Sequence, residues 1–369
     1  MMRVVIYGAG KIGRGYLGLL MALRGIDTVF IDIDSELVAE LNRRERYPVR
    51  ILEGEGYIEK TVSNYTAIDA HDKDAVLDAI AHCDLVMTCV GANNLKDITP
   101  LIAEGLYDRT LLTGKWIDII VCENLVDAGT HMKALMLKDE FGADLIINGN
   151  VGIGAACISC AAPVMHDEDK LLQLIDCYPD LYVDVSTLRS VFNIAHVKPV
   201  RDFDYYIKCK LFIHNMGHAA CAYLGLLRGI ERIDEAIREM DIFDITQSAM
   251  RESARAIAEA YHKDVNGLYT YVDWLIERFK NPALGDTCAR VGHDPIRKLS
   301  PNDRLIGAMR LCEQQCVMQS NIAKAIAAAL RHAVGDDRAA AVALLRDVSG
   351  LDEENPMSNM IMRAFDGDL

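Results

Sequence analysis

The sequence predicts an α/β chain, with a parallel-sheet domain over residues 1–190 followed by an all-α domain over residues 191–369. Three observations support this division. Short β-branched runs alternate with helical patterns in the first half, as in βαβ units. A glycine-rich turn follows the first of these runs. From Tyr205 onward, apolar residues recur at helical spacing.

The individual elements follow from the same patterns. We expect strands at five apolar runs, namely Val4–Tyr7, Thr28–Asp32, Leu85–Val90, Ile117–Val121 and Leu145–Ile147. Helices are expected at Gly15–Gly25, Ser35–Arg44, Ala249–Tyr261, Tyr269–Phe279, Asp303–Gln319 and Ala323–Arg331. The stretch from Asp184 to about Asp204 has mixed strand and loop character. The dipeptides Asn281-Pro282 and Asp294-Pro295 predict breaks between helices.

Composition limits the possible partners. The chain has 369 residues, of which 51% are hydrophobic and 25% charged, and its formal net charge is −15. Such an acidic balance argues against nucleic-acid or anionic-membrane surfaces. No run approaches the ~18 apolar residues of a membrane span, and the strand-like start predicts that no signal peptide is present. The 11 cysteines lie mostly in apolar runs, which is typical of reduced thiols in a cytoplasmic protein.

The glycine turn predicts a Rossmann-type cofactor site. Gly8, Gly10 and Gly13 form a G-x-G-x-x-G pattern, with Lys11 and Ile12 inside it, between a predicted strand and a predicted helix. Gly8 allows the turn, Gly10 lets a pyrophosphate approach, and Gly13 lets the helix pack on the strand.

The second strand ends in a carboxylate that indicates which cofactor is bound. Asp32 would accept hydrogen bonds from ribose hydroxyls and repel a 2′-phosphate, so NAD is preferred over NADP. Asp34 is the competing assignment, although such a residue is usually a loop or helix-capping carboxylate. Thr88, Val90 and Gly91 end a later strand, where the chain usually passes under the cofactor; their alternative role is that of a buried strand and its turn.

A short segment of the helical domain carries the candidate catalytic groups. Lys210, Asn215 and His218 occur at offsets 0, 5 and 8. At about 3.6 residues per turn they lie within an arc of roughly 140°, so one helix face can present all three. An amine beside two hydrogen-bonding groups suits proton transfer at a hydroxyl. A surface Lys and Asn beside a buried His is the alternative interpretation.

These motifs resemble the polyol-specific long-chain dehydrogenases, the mannitol dehydrogenase family. Four blocks occur in the family's order: Gly8-Ala-Gly-Lys-Ile-Gly-Arg-Gly15, Cys122-Glu-Asn124, Lys210-x4-Asn215-x2-His218, and Val291-Gly-His-Asp-Pro-Ile-Arg-Lys-Leu-Ser300 with Asp303-Arg-Leu305. The resemblance implies a metal-independent dehydrogenase in which Lys210 is the general base. Asn215 and Asn124 would donate to the developing alkoxide, His218 would bind a neighbouring substrate hydroxyl, and Glu123 would lie on the cofactor side.

The substrate is less well defined by the resemblance. Arg297, Lys298 and Arg304 are candidates for binding a substrate phosphate, and an inter-helix salt-bridge cluster is the equal alternative. Two departures from the family pattern lie near the expected substrate end of the site. Ser159-Cys160-Ala161-Ala162-Pro163 stands where many members have an Asp-Arg pair before a proline, and Ile207 and Lys208 stand where a carboxylate is common.

The resemblance implies reversible NAD-dependent conversion of mannitol 1-phosphate to fructose 6-phosphate, since the short N-terminus before the glycine turn favours this branch of the family over the longer free-mannitol enzymes. The alternative substrates are a free polyol or a hexuronate of the mannitol, fructuronate or tagaturonate type. A catalytically silent NAD-binding regulator is the alternative from another class, and the complete set of candidate catalytic residues argues against it. The only partner expected is the small-molecule polyol or sugar phosphate, and the chain is expected to be a monomer or small homo-oligomer.

Two further patterns could be metal or redox sites. His214 and His218 lie four residues apart, and Cys157-x-x-Cys160 or Cys312-x3-Cys316 could supply further ligands. No four-ligand spacing emerges, so we expect no metal. Cys157 and Cys160 lie among small residues, which indicates packing rather than a redox pair.

Overall fold

The computed structural model describes residues 2–54, 56–160, 162–163, 169–176, 180–190, 194 and 196–369. The chain divides into two compact units, Met1–Phe203 and Asp204–Leu369.

The first unit is built on a mainly parallel sheet. Its strands are β1 (Arg3–Tyr7), β2 (Asp27–Asp32), β3 (Tyr47–Glu53), β4 (Gly56–Val62), β5 (Tyr65–Asp69), β6 (Leu85–Thr88), β7 (Ile117–Val121), β8 (Val151–Cys157), β9 (Gln173–Ile175), β10 (Leu181–Asp184) and β11 (Val197–Val200). Eight of them form one sheet in the order β11-β10-β8-β7-β6-β1-β2-β5. Neighbours from β5 to β8 are parallel, and β10 joins β8 in the antiparallel direction.

Helices connect these strands. They are a π-helix at Lys11–Gly18 that continues into α1 (Leu19–Ala22), then α2 (Ser35–Arg44), α3 (Lys73–Ala81), a 3₁₀ turn at Ala92–Asn94, α4 (Leu95–Thr113), α5 (Ala128–Met136) and α6 (Glu140–Ile147). Aspartates cap several N-termini: Asp72 accepts from the N–H of Ala75, and Asp139 from that of Gly142.

Both faces of the sheet are buried, as a parallel sheet requires. Along β1, Val4 and Ile6 belong to one apolar cluster, while Val5 and Tyr7 belong to the other. Continuous β-branched runs therefore mark central strands here. The predicted α/β fold with a parallel-sheet first domain is confirmed.

The predicted strand at Leu145–Ile147 is wrong, because these residues end helix α6 and Ile147 is 78% exposed. On the side away from β6, β7 pairs with β8, whose small residues carry little strand signal. Packing explains its composition: a Cβ on Gly152 would lie 2.1 Å from Oδ1 of Asp118. The buried Asp118 carboxylate accepts hydrogen bonds from the backbone of Arg189 and Ser190.

A separate three-stranded sheet has the order β4-β3-β9. β3 and β4 form an antiparallel hairpin, and β9 pairs with β3 in parallel. In the predicted transition stretch from Asp184 to Asp204, β11 is the strand; residues 191–193 and 195 of that stretch lie outside the described residues.

The second unit is helical, as predicted. Its helices are α7 (Phe203–Lys208), a π-helix at Cys209–Asn215, α8 (Met216–Leu227), α9 (Ile233–Ala236), α10 (Met240–Tyr261), α11 (Val265–Phe279), a 3₁₀ turn at Pro282–Leu284, α12 (Cys288–Gly292), α13 (Pro295–Lys298), α14 (Ile306–Gln314), α15 (Ser320–Val334), α16 (Arg338–Leu344), a π-turn at Leu345–Ser349 and α17 (Pro356–Asp366). The central helix α8 packs against α10, α12 and α15.

The two predicted breaks are both present. Asn281 and Asp294 accept hydrogen bonds from the N–H groups of Ala283 and Arg297, and a proline follows each cap. The predicted helix at Asp303–Gln319 is shorter than expected, because Cys316 has a φ of 54° and ends the helical run. None of the described helices is both long and apolar enough to cross a bilayer.

Candidate active site

The glycine turn has the geometry that close approach requires. Gly8 has a φ of 104°, a conformation that L side chains rarely adopt. A Cβ on Gly13 would lie 1.9 Å from the carbonyl oxygen of Gly8, so the helix packs directly on the turn. At Gly10 a Cβ would meet nothing within 4 Å. The turn therefore leaves open space at Gly10, in front of the helix that begins at the exposed Lys11; Ile12 is half-buried.

Asp32 supports this turn. Its Oδ2 accepts a hydrogen bond of 2.6 Å from the N–H of Ala9, and its Oδ1 accepts one of 3.0 Å from the N–H of Asp34. The competing residue Asp34 caps α2 by accepting from the N–H of Leu37 at 3.0 Å. The geometry thus places Asp32 against the glycine turn and gives Asp34 the helix-capping role.

A buried carboxylate joins the ends of β6 and β7. Glu123 is 4% exposed. It accepts from Oγ1 of Thr88 at 2.7 Å and from the N–H of Val90 at 3.0 Å. Burial raises the pKa of Glu123, while these hydrogen bonds oppose the shift. The hydrogen bonds of Glu123 therefore tie the end of β7 to the end of β6 inside the protein. Gly91, with a φ of 90°, turns the chain beyond them, and Asn124 is exposed.

The segment that carries Lys210 is not a regular α-helix. Residues Cys209–Asn215 form a π-helix, and the N–H of Met216 bonds to the carbonyl oxygen of Leu211, five residues earlier. The wider turn of a π-helix brings residues five apart nearer to the same face than an α-helix does, so the angle between Lys210 and Asn215 around the helix axis is smaller than the α-helical arc. His218 lies three residues beyond Asn215 in α8, on a neighbouring face. All three side chains are half-buried.

His218 is held between an aromatic ring and a carboxylate. Its ring stacks on Phe279 at a centroid distance of 4.8 Å and an angle of 13°. Its Nε2 lies 3.2 Å from Oδ2 of Asp286. Burial, followed by the positive charge of Arg278 and Arg290, lowers the pKa of His218 to about 3. The imidazole is therefore neutral at physiological pH. Asp286 was not found from the sequence, where it reads as one more loop carboxylate.

His214 lies deeper, and burial lowers its pKa well below its ordinary value. Its Nε2 lies 3.4 Å from Nη1 of Arg278. Within the described part of the chain, no three His, Cys, Asp or Glu side chains are grouped as a metal site would need. Cys157 and Cys160 are both buried, and Cys312 is buried while Cys316 is exposed.

The three candidate phosphate ligands differ in their surroundings. Arg297 pairs with Asp294 at 3.0 Å and with Asp303 at 2.9 Å, and Arg304 pairs with Asp303 at 2.8 Å. These pairs are the salt-bridge cluster that the sequence left as the alternative. Lys298 is 4% exposed. Burial first, then Arg304 and Arg297, lower its pKa to about 8. Lys298 is therefore a buried amine whose charged form is disfavoured chiefly by burial.

The two positions where the sequence departs from the family pattern are also described in part. Lys208 lies 4.0 Å from Asp204, and its ammonium sits 4.9 Å from the ring centre of Phe212. Asp204 also accepts a hydrogen bond from the hydroxyl of Tyr261. A carboxylate is thus present near the start of this helix, four residues before Lys208. Ala161, in the other departure, lies outside the described residues.

These features define a class of protein. A parallel sheet with a glycine turn after its first strand, in one chain with a helical unit carrying Lys210, is the arrangement of a dinucleotide-binding oxidoreductase. The profile of the mannitol dehydrogenase Rossmann domain matches residues 2–189, and that of the mannitol dehydrogenase C-terminal domain matches residues 202–365. The chain belongs to the mannitol dehydrogenase family and is a polyol dehydrogenase in class.

Individual relatives agree with this assignment. Mannitol-1-phosphate 5-dehydrogenase of Brevibacillus brevis is 37% identical over 333 residues, which cover 89% of this chain and 86% of the relative. The Bacillus licheniformis protein of the same name is 32% identical and covers 96% of this chain and 97% of its own. The fold resembles Pseudomonas fluorescens mannitol 2-dehydrogenase, solved as a ternary complex with NAD and D-mannitol. Its TM-score is 0.77 at 16% identity, covering 100% of this chain and 91% of that one.

Proposed function

We propose that this chain catalyses NAD-dependent interconversion of mannitol 1-phosphate and fructose 6-phosphate, in the cytoplasm and without a metal. The observation that carries the proposal is the π-helix at Cys209–Asn215, which contains Lys210 and Asn215 and continues into the helix of His218, in a unit that also buries Lys298. The names of the relatives in Brevibacillus brevis and Bacillus licheniformis support a phosphorylated polyol.

The residues of the first unit fit NAD. Open space at Gly10 and the N-terminus of the helix at Lys11–Gly18 suit a pyrophosphate, whose charge the free N–H groups would bind. Asp32 disfavours a 2′-phosphate by charge repulsion. Lys11, Ile12, Val90 and Gly91 are proposed to line the cofactor, with Thr88 and Glu123 supporting them from below. NAD, when bound, supplies the acceptor for the hydride.

Lys210 is proposed to move the proton. A free lysine has a pKa of about 10.4 and is a poor base near neutrality, so its surroundings must favour the neutral amine. Arg278, Arg304 and Lys210 all help to lower the pKa of the adjacent His214, so this buried segment is surrounded by positive charge. Asn215 is proposed to donate to the oxygen that becomes an alkoxide, and Asn124 to supply a second amide donor.

Lys298 is proposed to bind the substrate phosphate, with Arg304 and Arg297 as neighbours. An anion beside Lys298 would stabilise the charged form of its amine, whose pKa of about 8 reflects the cost of burial. Arg297 and Arg304 already neutralise Asp294 and Asp303, so their contribution to binding is smaller. Lys298 is therefore the residue expected to separate phosphorylated from free substrates.

The test is NADH oxidation by the purified protein with fructose 6-phosphate, and with fructose, fructuronate and tagaturonate in parallel. We expect turnover with the phosphate. Lys210→Ala should abolish turnover while NADH still binds, and Lys280→Ala, a lysine paired with the exposed Glu277, is the matched control. A near-wild-type rate in Lys210→Ala would refute the mechanism. Turnover only with an unphosphorylated sugar would keep the mechanism and reject the substrate.

A further inference from the structure

Asp286 is held rigidly beside His218. Its carbonyl oxygen accepts from the N–H of Ile233 at 3.0 Å, and the following residue, Thr287, bridges to Arg232. Its Oδ1 pairs with Arg290, one turn further along α12, which leaves Oδ2 facing His218. The carboxylate is only 16% exposed. Backbone and side-chain contacts thus aim one oxygen of Asp286 at the imidazole.

Two contacts limit the orientation of the His218 ring. Stacking at 4.8 Å on Phe279 fixes the plane of the ring. Within that plane, the position of Oδ2 at 3.2 Å from Nε2 decides which nitrogen faces the carboxylate. Burial lowers the pKa of His218 to about 3, so the ring carries a single proton at neutral pH. A carboxylate near one nitrogen attracts that proton, because an ionised carboxylate only accepts hydrogen bonds.

We propose that Asp286 is a positioning residue that keeps the proton of His218 on Nε2 and so presents Nδ1 to the substrate as a hydrogen-bond acceptor. An acceptor at this point selects a substrate hydroxyl, which donates, on a carbon next to the reacting carbon. This inference rests on the proposed function, in which His218 contacts such a hydroxyl. It adds that the enzyme recognises the hydroxyl as a donor, and that Asp286 sets this preference without touching the substrate.

The proposal makes the tautomer of His218 a measurable property. In protein labelled with ¹⁵N at histidine, the two ring nitrogens give different chemical shifts when one is protonated and the other is not. Signals of His218 are assigned by their loss in His218→Gln. We expect the Nε2-protonated form in the wild type, and a shift toward the Nδ1-protonated form or an exchange average in Asp286→Asn. A wild-type ring protonated on Nδ1, or an unchanged ring in Asp286→Asn, would overturn the proposal.

Kinetics with deoxy substrates test the consequence. The substrates are fructose 6-phosphate and its 1-deoxy and 3-deoxy analogues, which lack one or the other hydroxyl beside the carbonyl. We expect the wild type to lose about ten- to a hundredfold in kcat/KM on one analogue, and Asp286→Asn to lose less than about threefold on the same one. Because the contact exists before and during reaction, the Asp286→Asn effect on fructose 6-phosphate should appear mainly in KM.

The controls separate the two proposals. Asp241→Asn removes a comparable aspartate paired with Arg228, on an exposed part of the same unit, and should change neither the tautomer nor the deoxy ratio. Equal losses on the deoxy analogue in wild type and Asp286→Asn would overturn the positioning role. Absence of turnover with fructose 6-phosphate in the wild type would reject the proposed function, while the NMR measurement still decides the role of Asp286. If Asp286→Asn does not fold, the NMR measurement of the His218 tautomer in the wild type still tests the role of Asp286.

Discussion

Replacing Gly10 by alanine separates folding from cofactor binding. Gly10 has a φ of −71° and a ψ of −166°, an extended conformation that alanine adopts without strain. Its Cβ would meet no protein atom within 4 Å. The variant should therefore fold normally. The added methyl group would instead occupy the space through which a pyrophosphate approaches the helix N-terminus.

The expected loss follows from overpacking. A methyl group forced into a close contact typically costs about 1–3 kcal/mol. Since each ~1.4 kcal/mol is a factor of ten, the Kd for NADH should rise roughly 5- to 150-fold. The melting temperature of the free protein should stay at the wild-type value or rise slightly. Alanine lowers the conformational entropy of the unfolded chain, which stabilises the folded state by about 0.4–1 kcal/mol.

The assay is titration of the protein with NADH by calorimetry, together with thermal unfolding. Gly267→Ala is the matched control, because its Cβ also meets nothing within 4 Å, but it lies on an exposed face of α11. That variant should bind NADH normally. An unchanged Kd in Gly10→Ala would refute the assignment of the glycine turn to the cofactor. A large loss of stability in Gly10→Ala would show that the open space was misjudged.

Two further changes test the buried polar groups. Thr88→Val removes the hydrogen bond that the Thr88 hydroxyl donates to the buried Glu123 and should lower the free energy of unfolding in urea by about 1–3 kcal/mol, whereas Thr88→Ser should remain near the wild type. Lys298→Met should raise the melting temperature at pH 7 while weakening binding of fructose 6-phosphate. The Lys298 amine has a pKa near 8 when folded and 10.5 otherwise, so the folded state holds fewer protons between these values and wild-type stability rises with pH there. The advantage of Lys298→Met, up to about 3 kcal/mol, should therefore shrink from pH 8 to 10.5 in pH-dependent unfolding; a constant advantage would contradict the burial of a charged amine.

The elements predicted correctly are those whose signals lie within a few neighbouring residues of the sequence. The first strand, the glycine turn and the helix from Ser35 to Arg44 were predicted, because β-branched runs, glycines and an aspartate cap act over a few residues. The strand β8 was missed because its glycines are required by close packing against Asp118 and against the loop that Asp118 binds, and both are distant in sequence. An apolar run at Leu145 has the same composition whether it ends a helix or forms a strand.

In the candidate site, too, the sequence predicted what depends on neighbouring residues and missed what depends on residues distant in the chain. The spacing of Lys210, Asn215 and His218 indicated a shared face, but the arc assumed a regular α-helix, and the π-helix that contains the first two residues has no recognised sequence signal. Asp286 and the burial of Lys298 depend on tertiary packing. A carboxylate beside His218 and a desolvated amine can be identified only once the helices are in place.

The central claim is that Lys210 deprotonates a phosphorylated polyol for transfer of hydride to NAD. The most direct measurement is the initial rate of NADH oxidation with fructose 6-phosphate and with fructose, for the wild type, Lys210→Ala and Lys298→Met. We predict turnover with the phosphate by the wild type, none by Lys210→Ala with NADH binding retained, and a raised KM for the phosphate in Lys298→Met. Equal rates with fructose and fructose 6-phosphate, or an active Lys210→Ala variant, would contradict the account.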